Sequence, residues 1–356
     1  MSLRQIRLKQ FRNIQSTTLD FHPRYNFIYG SNASGKTSLL EAINFLCEGR
    51  SFKTRSSQIC INNNSNDFLL FGRFDGYKIG ISKSLSDFKV RLDNENVARL
   101  SSFAHKAPLR LLDSSCFDLL TGSPKFRRKF IDWYLFHVEH DYFSLWSLHQ
   151  HALKQRNALL KLHCDTNQLD HWDNLIARYC QQISLLREKH CLSISNVLNN
   201  DLTTILGELE ISIAFKRGWD DSKNLLTQLK EKREKDLKYG FTSIGSHRDD
   251  LIIQSKGSPL SYNLSRGQLK KLSIGLYLAQ IKLFTEPTLG NLLILMDDIS
   301  SEIDQNNLIK IFKLLTNTSA QFFVTNIDTP QFLLDVIQDY RLFHVEHGMI
   351  DAVKNS

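Results

Sequence analysis

The segment Gly30-Ser-Asn-Ala-Ser-Gly35-Lys36-Thr37 constrains this chain more than any other, because it fits G-x-x-x-x-G-K-[ST] at every position. Its flanks have the order the motif needs. Tyr25 to Tyr29 (YNFIY) is aromatic and β-branched and predicts a short buried strand, while Ser38-Leu-Leu-Glu-Ala-Ile-Asn-Phe-Leu predicts an apolar-striped helix. Strand, glycine loop and helix N-terminus together offer phosphates a run of backbone N–H groups and a positive dipole end. On this reading Gly30, Ser31, Asn32, Ala33, Ser34, Gly35, Lys36, Thr37 and Ser38 hold ATP. Lys36 reaches the β/γ-phosphates, and the Thr37 hydroxyl is a ligand for Mg²⁺, which takes few protein ligands.

A second element completes such a site from the far end of the chain. Asn291-Leu-Leu-Ile-Leu-Met-Asp297-Asp298 is an apolar run, as expected of a central parallel strand covered on both faces, and it ends in acid. Ligands of open α/β sheets bind at the C-terminal ends of strands. Asp297 is therefore expected to hold the Mg²⁺ shell, and Asp298 to orient the attacking water. Lys36, Asp297 and Asp298 are the expected catalytic set. The chain predicts an α/β P-loop ATPase head, split in sequence between the glycine loop and the second acidic motif.

Composition narrows the remaining classes. Over 356 residues, 42% are hydrophobic and 23% charged, which is ordinary globular usage and argues against a disordered chain. The start is charged from Arg4 onward and lacks the apolar core of a secretory signal, and the run from Leu292 to Met296 is too short to cross a bilayer. A cytoplasmic, nucleoid-associated protein without a membrane partner is expected. The six cysteines (Cys47, Cys60, Cys116, Cys164, Cys180, Cys191) contain no C-x-x-C pair, so neither a zinc site nor a disulfide framework is indicated. A net charge of +8 favours a polyanionic partner. The excess is strong at the N-terminus, where Arg4, Arg7, Lys53 and Arg55 are candidates for DNA phosphates; a solvated basic surface is the alternative.

The middle of the chain has a different rhythm. Leu145, Leu148, Ala152, Leu159 and Leu162 follow a seven-residue spacing, and Trp172, Ile176, Tyr179, Ile183, Leu186, Ile194 and Val197 follow it more clearly. Two helices joined by the polar link Cys164-Asp-Thr-Asn-Gln predict an antiparallel hairpin, either projecting or packed on a domain. Glu210-Ile-Ser-Ile-Ala-Phe reads as a strand returning the chain to the head. The expected divisions are residues 1–122 for the first half of the head, 123–207 for a helical arm, and 208–356 for the second half. Phe-His-Val-Glu-His occurs twice, at 136–140 and 343–347, without the spacing of a metal motif; the second copy falls in an expected terminal strand.

The order of motifs resembles that of the ABC/SMC-type ATPases. Leu264-Ser265-Arg266-Gly267-Gln268 stands where that family carries its signature L-S-G-G-Q, with Arg266 replacing a glycine. The resemblance implies that Ser265, Arg266, Gly267 and Gln268 cap ATP bound to a second copy, in a homodimer formed on ATP binding. A closer resemblance is to the RecF family of recombination mediators. It is carried by Leu3 to Ile14, Gly49-Arg-Ser-Phe-Lys-Thr54, Gly122-Ser-Pro124 with Arg127-Arg128, Leu153-Lys-Gln-Arg-Asn157, Gly245-Ser-His-Arg-Asp-Asp-Leu251 and Ser265 to Gln268. These blocks run in family order over nearly the whole chain.

The RecF resemblance implies a weak, DNA-stimulated ATPase of recombinational repair and replication-fork maintenance. It would bind double-stranded and gapped DNA, with RecR and RecO as partners and, through them, RecA. Arg12 is expected at the nucleotide, as the matching arginine is in SMC-like heads, or on DNA. The block at His247 to Asp250 could serve DNA, nucleotide or fold. Two departures from transporter ATPases stand out: there is no convincing Q-loop glutamine, and Val324-Thr325-Asn326 occupies the place of the switch histidine. A transporter subunit and an SMC-like scaffold are the competing classes. The first predicts both missing features, and the second predicts a longer arm.

Overall fold

The computed structural model describes residues 2–97, 107–162, 166–207, 209–284, 292–316 and 318–353. It divides into two compact units, one made of Met1–Cys116 with Phe284–Ser356, the other of Phe117–Leu283. The first stretch contributes strands β1 (Leu3–Phe11), β2 (Ile14–Asp20) and β3 (Tyr25–Tyr29), helix α1 (Lys36–Glu48), then β4 (Asp67–Phe74), β5 (Tyr77–Ser84), β6 (Phe88–Leu92), β7 (Glu95–Asn96) and β8 (Leu109–Leu112). The second unit supplies α2 (Pro124–Val138), α3 (Tyr142–Lys161), α4 (Asp170–Asp201), β9 (Ile211–Lys216), α5 (Leu225–Glu231), α6 (Arg233–Tyr239), β10 (Asp250–Ser255), β11 (Ser258–Pro259) and α7 (Arg266–Lys282). The chain then completes the first unit with β12 (Leu293–Met296), α8 (Gln305–Leu315), β13 (Gln321–Asn326), β14 (Arg341–Glu346) and β15 (Met349–Val353).

The first unit is built from two six-stranded sheets. One is antiparallel, in the order β2-β1-β4-β5-β6-β7; the other runs β15-β14-β3-β13-β12-β8, parallel except for the β14–β15 hairpin. The strands of the antiparallel sheet alternate buried and exposed residues, as a sheet with one wet face must. By contrast β12 is buried at all four positions and β13 at five of six, which is the signature of a parallel strand covered on both sides. On one side α1 brings Phe45 into edge-to-face contact with Phe11 and Phe68 of the antiparallel sheet. On the other, Phe312 of α8 packs on Tyr25, Phe27 and Phe322.

The expected strand at 25–29, the helix after the glycine loop and the buried acid-tipped strand are all present, although Asn291 lies outside the described residues. The helix closes at Gly49, whose left-handed φ of 68° suits a glycine cap and whose N–H returns to Phe45 O at 2.9 Å.

In the second unit α3 and α4 form the expected antiparallel pair, with His149 beside Cys180 and Arg156 beside Asp173; Cys164 lies outside the described residues. The pair does not project bare. Arg156 also reaches Asp236 of α6 and Thr242, and Arg233 of α6 reaches Asp170 and Asp173, so α6 covers the end of the hairpin. The heptad reading of α3 needs correction. Leu148 and Leu162 are exposed, and the buried face is Tyr142, His149, Ala152, Arg156 and Leu160. Apolar periodicity could not find that face, because two of its five residues are a histidine and an arginine.

The unit boundaries also depart from 122 and 207. Strand β9 does not return to the head: it pairs with β10 in a three-stranded sheet, and the stretch through Leu283, including the Ser265 segment, belongs to the second unit. The physical reason is the hydrogen-bonded ladder β9–β10–β11, which sequence pattern shows as strands without showing their partners. The two Phe-His-Val-Glu-His copies fall in unlike settings, the end of α2 and strand β14. Among the described residues no helix is long and apolar enough to cross a membrane.

Candidate nucleotide site

In the first unit the loop after β3 turns into α1 through backbone that demands particular residues. Gly30 and Gly35 have φ of 154° and 125°, and a Cβ on Gly30 would meet Val345 O at 2.2 Å. Ala33 also takes a left-handed φ of 62°. The loop is braced from outside the motif. Asn13 Nδ2 donates to Ser34 O at 3.0 Å, its Oδ1 accepts from Ser38 Oγ at 2.8 Å, and Gly348 N donates to Ser34 O at 2.7 Å. Lys36 is buried, and its Nζ donates to Gly30 O at 2.6 Å and Ser31 O at 2.9 Å. Burial lowers its pKa, and the charges of Asp298 and Asp297 oppose that shift.

Parallel pairing of β12 with β13, and β13 with β3, brings the acids to the loop. Thr37 Oγ1 donates to Asp297 Oδ1 at 3.1 Å, across 260 residues of sequence. Thr325 Oγ1 donates to the same oxygen at 2.9 Å and accepts from Asp298 N at 2.8 Å. Burial raises the Asp297 carboxyl, while Thr325, Thr37 and the charge of Lys53 oppose the rise. Asp298 sits in a left-handed conformation with φ 52°, and its Oδ1 is buried with no hydrogen-bond partner among the described residues. A hydroxyl and a carboxylate converging at this distance are the hard oxygen donors Mg²⁺ takes, and the orphan oxygen beside them is one more acceptor facing the same space. The residues present fit that ion.

These groups line a cleft of about 640 Å³, bordered by Arg12, Asn32, Lys36, Thr37, Lys53 and the two aspartates among others. Arg12 is more committed than expected: Nε and Nη2 bridge the buried Glu41 of α1 at 2.8 and 2.7 Å, and Nη1 donates to Ile59 O. Lys53, an expected DNA contact, instead lines this cleft. Its loop is tied to α1 through Asn44, which donates to Arg50 O, and Glu41, which accepts from Ser51. Thr325 and Asn13 were missed as site residues. Thr325 was visible only as the replacement for a histidine, and Asn13 only as one letter of the Leu3–Ile14 block.

Comparison with known proteins agrees with this architecture. Residues 2–351 match the family model described as "RecF/RecN/SMC N terminal domain". The DNA replication and repair protein RecF of Shewanella frigidimarina (strain NCIMB 400) is 38% identical over 361 residues, spanning 99% of this chain and all of the relative. The chain belongs to the RecF family. A solved structure of the recombination mediator protein RecF-ATP in the RecFOR pathway is similar in fold, with a TM-score of 0.86 at 24% identity over 99% of both chains. Its ATPrS counterpart gives 0.83, again at 24% identity, over 99% of this chain and 98% of that one.

The remaining RecF-family blocks lie in the second unit. Ser265 is the N-cap of α7 in a reciprocal capping box: its Oγ accepts from Gln268 N at 3.3 Å, and its N donates to Gln268 Oε1 at 2.8 Å. Ser265, Arg266, Gly267 and Gln268 are all exposed, and a Cβ on Gly267 would touch none of the described residues within 4 Å. The block at 245–251 has a role in the fold. Asp249 accepts from Ser184 Oγ at 2.6 Å, Arg187 Nη1 at 3.0 Å and Gly218 N at 2.8 Å, and Asp250 pairs with Arg127 at 2.7 Å. His247 bonds Thr242 O, and Ser246 faces His149 and Cys180 in a closed interior. Burial drives His149 down to about 3 and Cys180 up to about 11, so this trio is a neutral packing element. Of the expected DNA contacts, Arg4 pairs with Asp75 at 2.6 Å, while Arg7 and Arg55 are exposed.

Proposed function

We propose that this chain is an ATP-dependent DNA-binding protein of recombinational repair, in which ATP joins two copies and hydrolysis separates them. The observation that carries the reading is the convergence of Lys36, Thr37, Asp297 and Asp298 on one cleft, in a chain whose relatives are called DNA replication and repair proteins. Lys36 exchanges two loop carbonyls for the β- and γ-phosphates. Lys53 adds a second positive charge near Asp297. Mg²⁺, when bound by Thr37 and Asp297, would neutralise phosphate charge. Asp298 Oδ1, buried and unpartnered, orients the attacking water and accepts its proton as the water oxygen bonds to the γ-phosphorus and ADP leaves.

Gly267 supports the dimer. A glycine in the first turn of a helix costs about 0.5–1 kcal/mol relative to alanine. Nothing among the described residues requires its missing side chain, but the close approach of a phosphate from a second copy does. A closed dimer of a basic chain would hold double-stranded or gapped DNA through phosphates, with strong salt dependence and little sequence preference. RecR, RecO and RecA are the partners we propose, in the cytoplasm on the nucleoid.

The test is binding to a gapped duplex without nucleotide, with ATP and with a non-hydrolysable analogue, for the native chain, Lys36→Ala and Ser265→Arg. Nucleotide-dependent binding is expected, with Lys36→Ala weakening ATP roughly 10- to 100-fold by loss of charged hydrogen bonds. Ser265→Arg should keep ATP affinity and lose the dimer. Equal DNA binding in every condition would refute the coupling.

A further inference from the structure

The second Phe-His-Val-Glu-His copy, at Phe343 to His347, takes no part in the chemistry described above, yet it builds the hairpin β14–β15 that lies against the glycine loop. Its sequence suits a tight turn. Glu346 pairs with Met349, so His347 and Gly348 form a two-residue loop, and their φ of 47° and 81° are the positive pair such a loop favours. Parallel pairing with β3 ends at His344 opposite Tyr29, which leaves the rest of β14 and its turn beside the loop that follows β3.

The hairpin meets that region at successive points. The His344 ring lies 4.9 Å from that of Tyr29, Val345 O occupies the space a Cβ on Gly30 would need, and Gly348 N donates to Ser34 O at 2.7 Å. A second tight turn, Arg12–Asn13 between β1 and β2, converges on the same atom. Asn13 Nδ2 donates to Ser34 O at 3.0 Å, and a Cβ on Gly348 would meet Asn13 O at 2.2 Å. Only a residue without a side chain at 348 lets both turns reach this one carbonyl.

The consequence lies in the peptide to which that carbonyl belongs. A trans peptide is planar, with its C=O and N–H on opposite sides. Because Ser34 O is held by two donors, Gly35 N–H is turned away from both turns, and it makes no hydrogen bond among the described residues. Gly35 lines the nucleotide cleft. A free N–H at this point of a glycine loop is a donor for the α/β-phosphates. Without its two donors the same peptide is free to rotate, at the low cost glycine allows, and to offer phosphate a carbonyl oxygen instead.

We infer that Gly348 and Asn13 are positioning residues for nucleotide: the two turns set the Ser34–Gly35 peptide with its N–H toward the phosphates before ATP arrives. A loop that is competent only part of the time binds its ligand more weakly in proportion. The inference rests on the ATP-binding reading above and adds that the β14–β15 hairpin, outside the glycine loop, sets nucleotide affinity.

The experiment is titration of the full chain with ATP and with ADP, using adenosine as a competitor, for the native chain, Asn13→Ala, Gly348→Ala, His347→Asn and Lys36→Ala. Asn13→Ala and Gly348→Ala should each weaken ATP and ADP alike, roughly 3- to 10-fold, as the net loss of one hydrogen bond to a phosphate that both nucleotides carry. Competition by adenosine, which has no phosphate, should not change. His347→Asn keeps the turn and the Gly348 N–H, and should bind as the native chain does. Asn13→Ala reaches Ser34 from the other turn, so it decides the question even if Gly348→Ala fails to fold. Native ATP and ADP affinities in Asn13→Ala, or adenosine weakened as much as ADP, would overturn the inference while Lys36→Ala still lowers ATP affinity. A silent Lys36→Ala would instead mark failure of the ATP-binding reading, and the inference would fall with it.

Discussion

The two units solve the problem of a stable interior in opposite ways. In the first, the interior is aliphatic and aromatic, as where Phe21 meets Phe323 and Phe343 at 4.9 and 5.5 Å, and among the described residues its buried charges are Lys36, Glu41 and Arg110. In the second, a connected network of charges runs through an otherwise apolar interior. Arg156 and Asp173 are fully buried and linked to Asp236 and Arg233; Arg187 joins Asp132 and Asp249 through three hydrogen bonds and donates a fourth to Ser246 O. Burial works against the Arg187 charge, but the carboxylates of Asp132 and Asp249 outweigh it and raise the guanidinium pKa. The difference teaches that one unit tolerates changes of shape better than changes of charge, and that its polar network fixes where each helix sits.

The sharpest way to break that contrast is a pair of swaps that keep volume. Arg187→Met strands the buried Asp249 and the partly buried Asp132 and is expected to cost about 3–5 kcal/mol, whereas Leu295→Met in the first unit should cost less than about 1.5 kcal/mol. Urea unfolding of each variant, followed by hydrogen exchange to locate the loss, decides it. Comparable costs would mean the network contributes no more than packing.

Acid should separate the units next. His149 and His247 have folded pKa values near 3 and 4, below the ordinary 6.5. The unfolded chain therefore takes up their protons first as pH falls. Their contribution is complete above pH 6.5 and is lost below it, at up to about 1.4 kcal/mol per pH unit for each imidazole. In the first unit burial lowers His22 too, but Asp339 opposes the shift, so its exchange rates should respond less. Equal acid sensitivity in both units would count against the buried neutral histidines.

The smallest effect has opposite signs for fold and function. Gly267→Ala should stabilise α7 by about 0.5–1 kcal/mol, because its surroundings are open, while weakening ATP-induced dimerisation. Calorimetry and sedentation by ultracentrifugation with and without ATP read the two separately. A stabilised variant with unaltered dimerisation would leave the exposed glycine unexplained.

Sequence by itself determined the elements whose chemistry is contiguous. The glycine loop, its strand and helix, and the acid-tipped strand at 293–296 each carry their signal within about ten residues, because phosphate binding and full burial impose residue types locally. The family blocks were legible for the same reason. Tertiary structure alone decided what depends on convergence. It set Thr37 against Asp297, committed Arg12 to Glu41, and drew Lys53 to the nucleotide cleft. It made the 245–251 block a buried keystone and kept β9 with the second unit. A charged side chain reads as surface until the structure supplies its partner, since only a paired charge can be buried at tolerable cost. That is why Arg156 and Arg187 were invisible to a search for apolar periodicity, and why the fold of the second unit had to be seen.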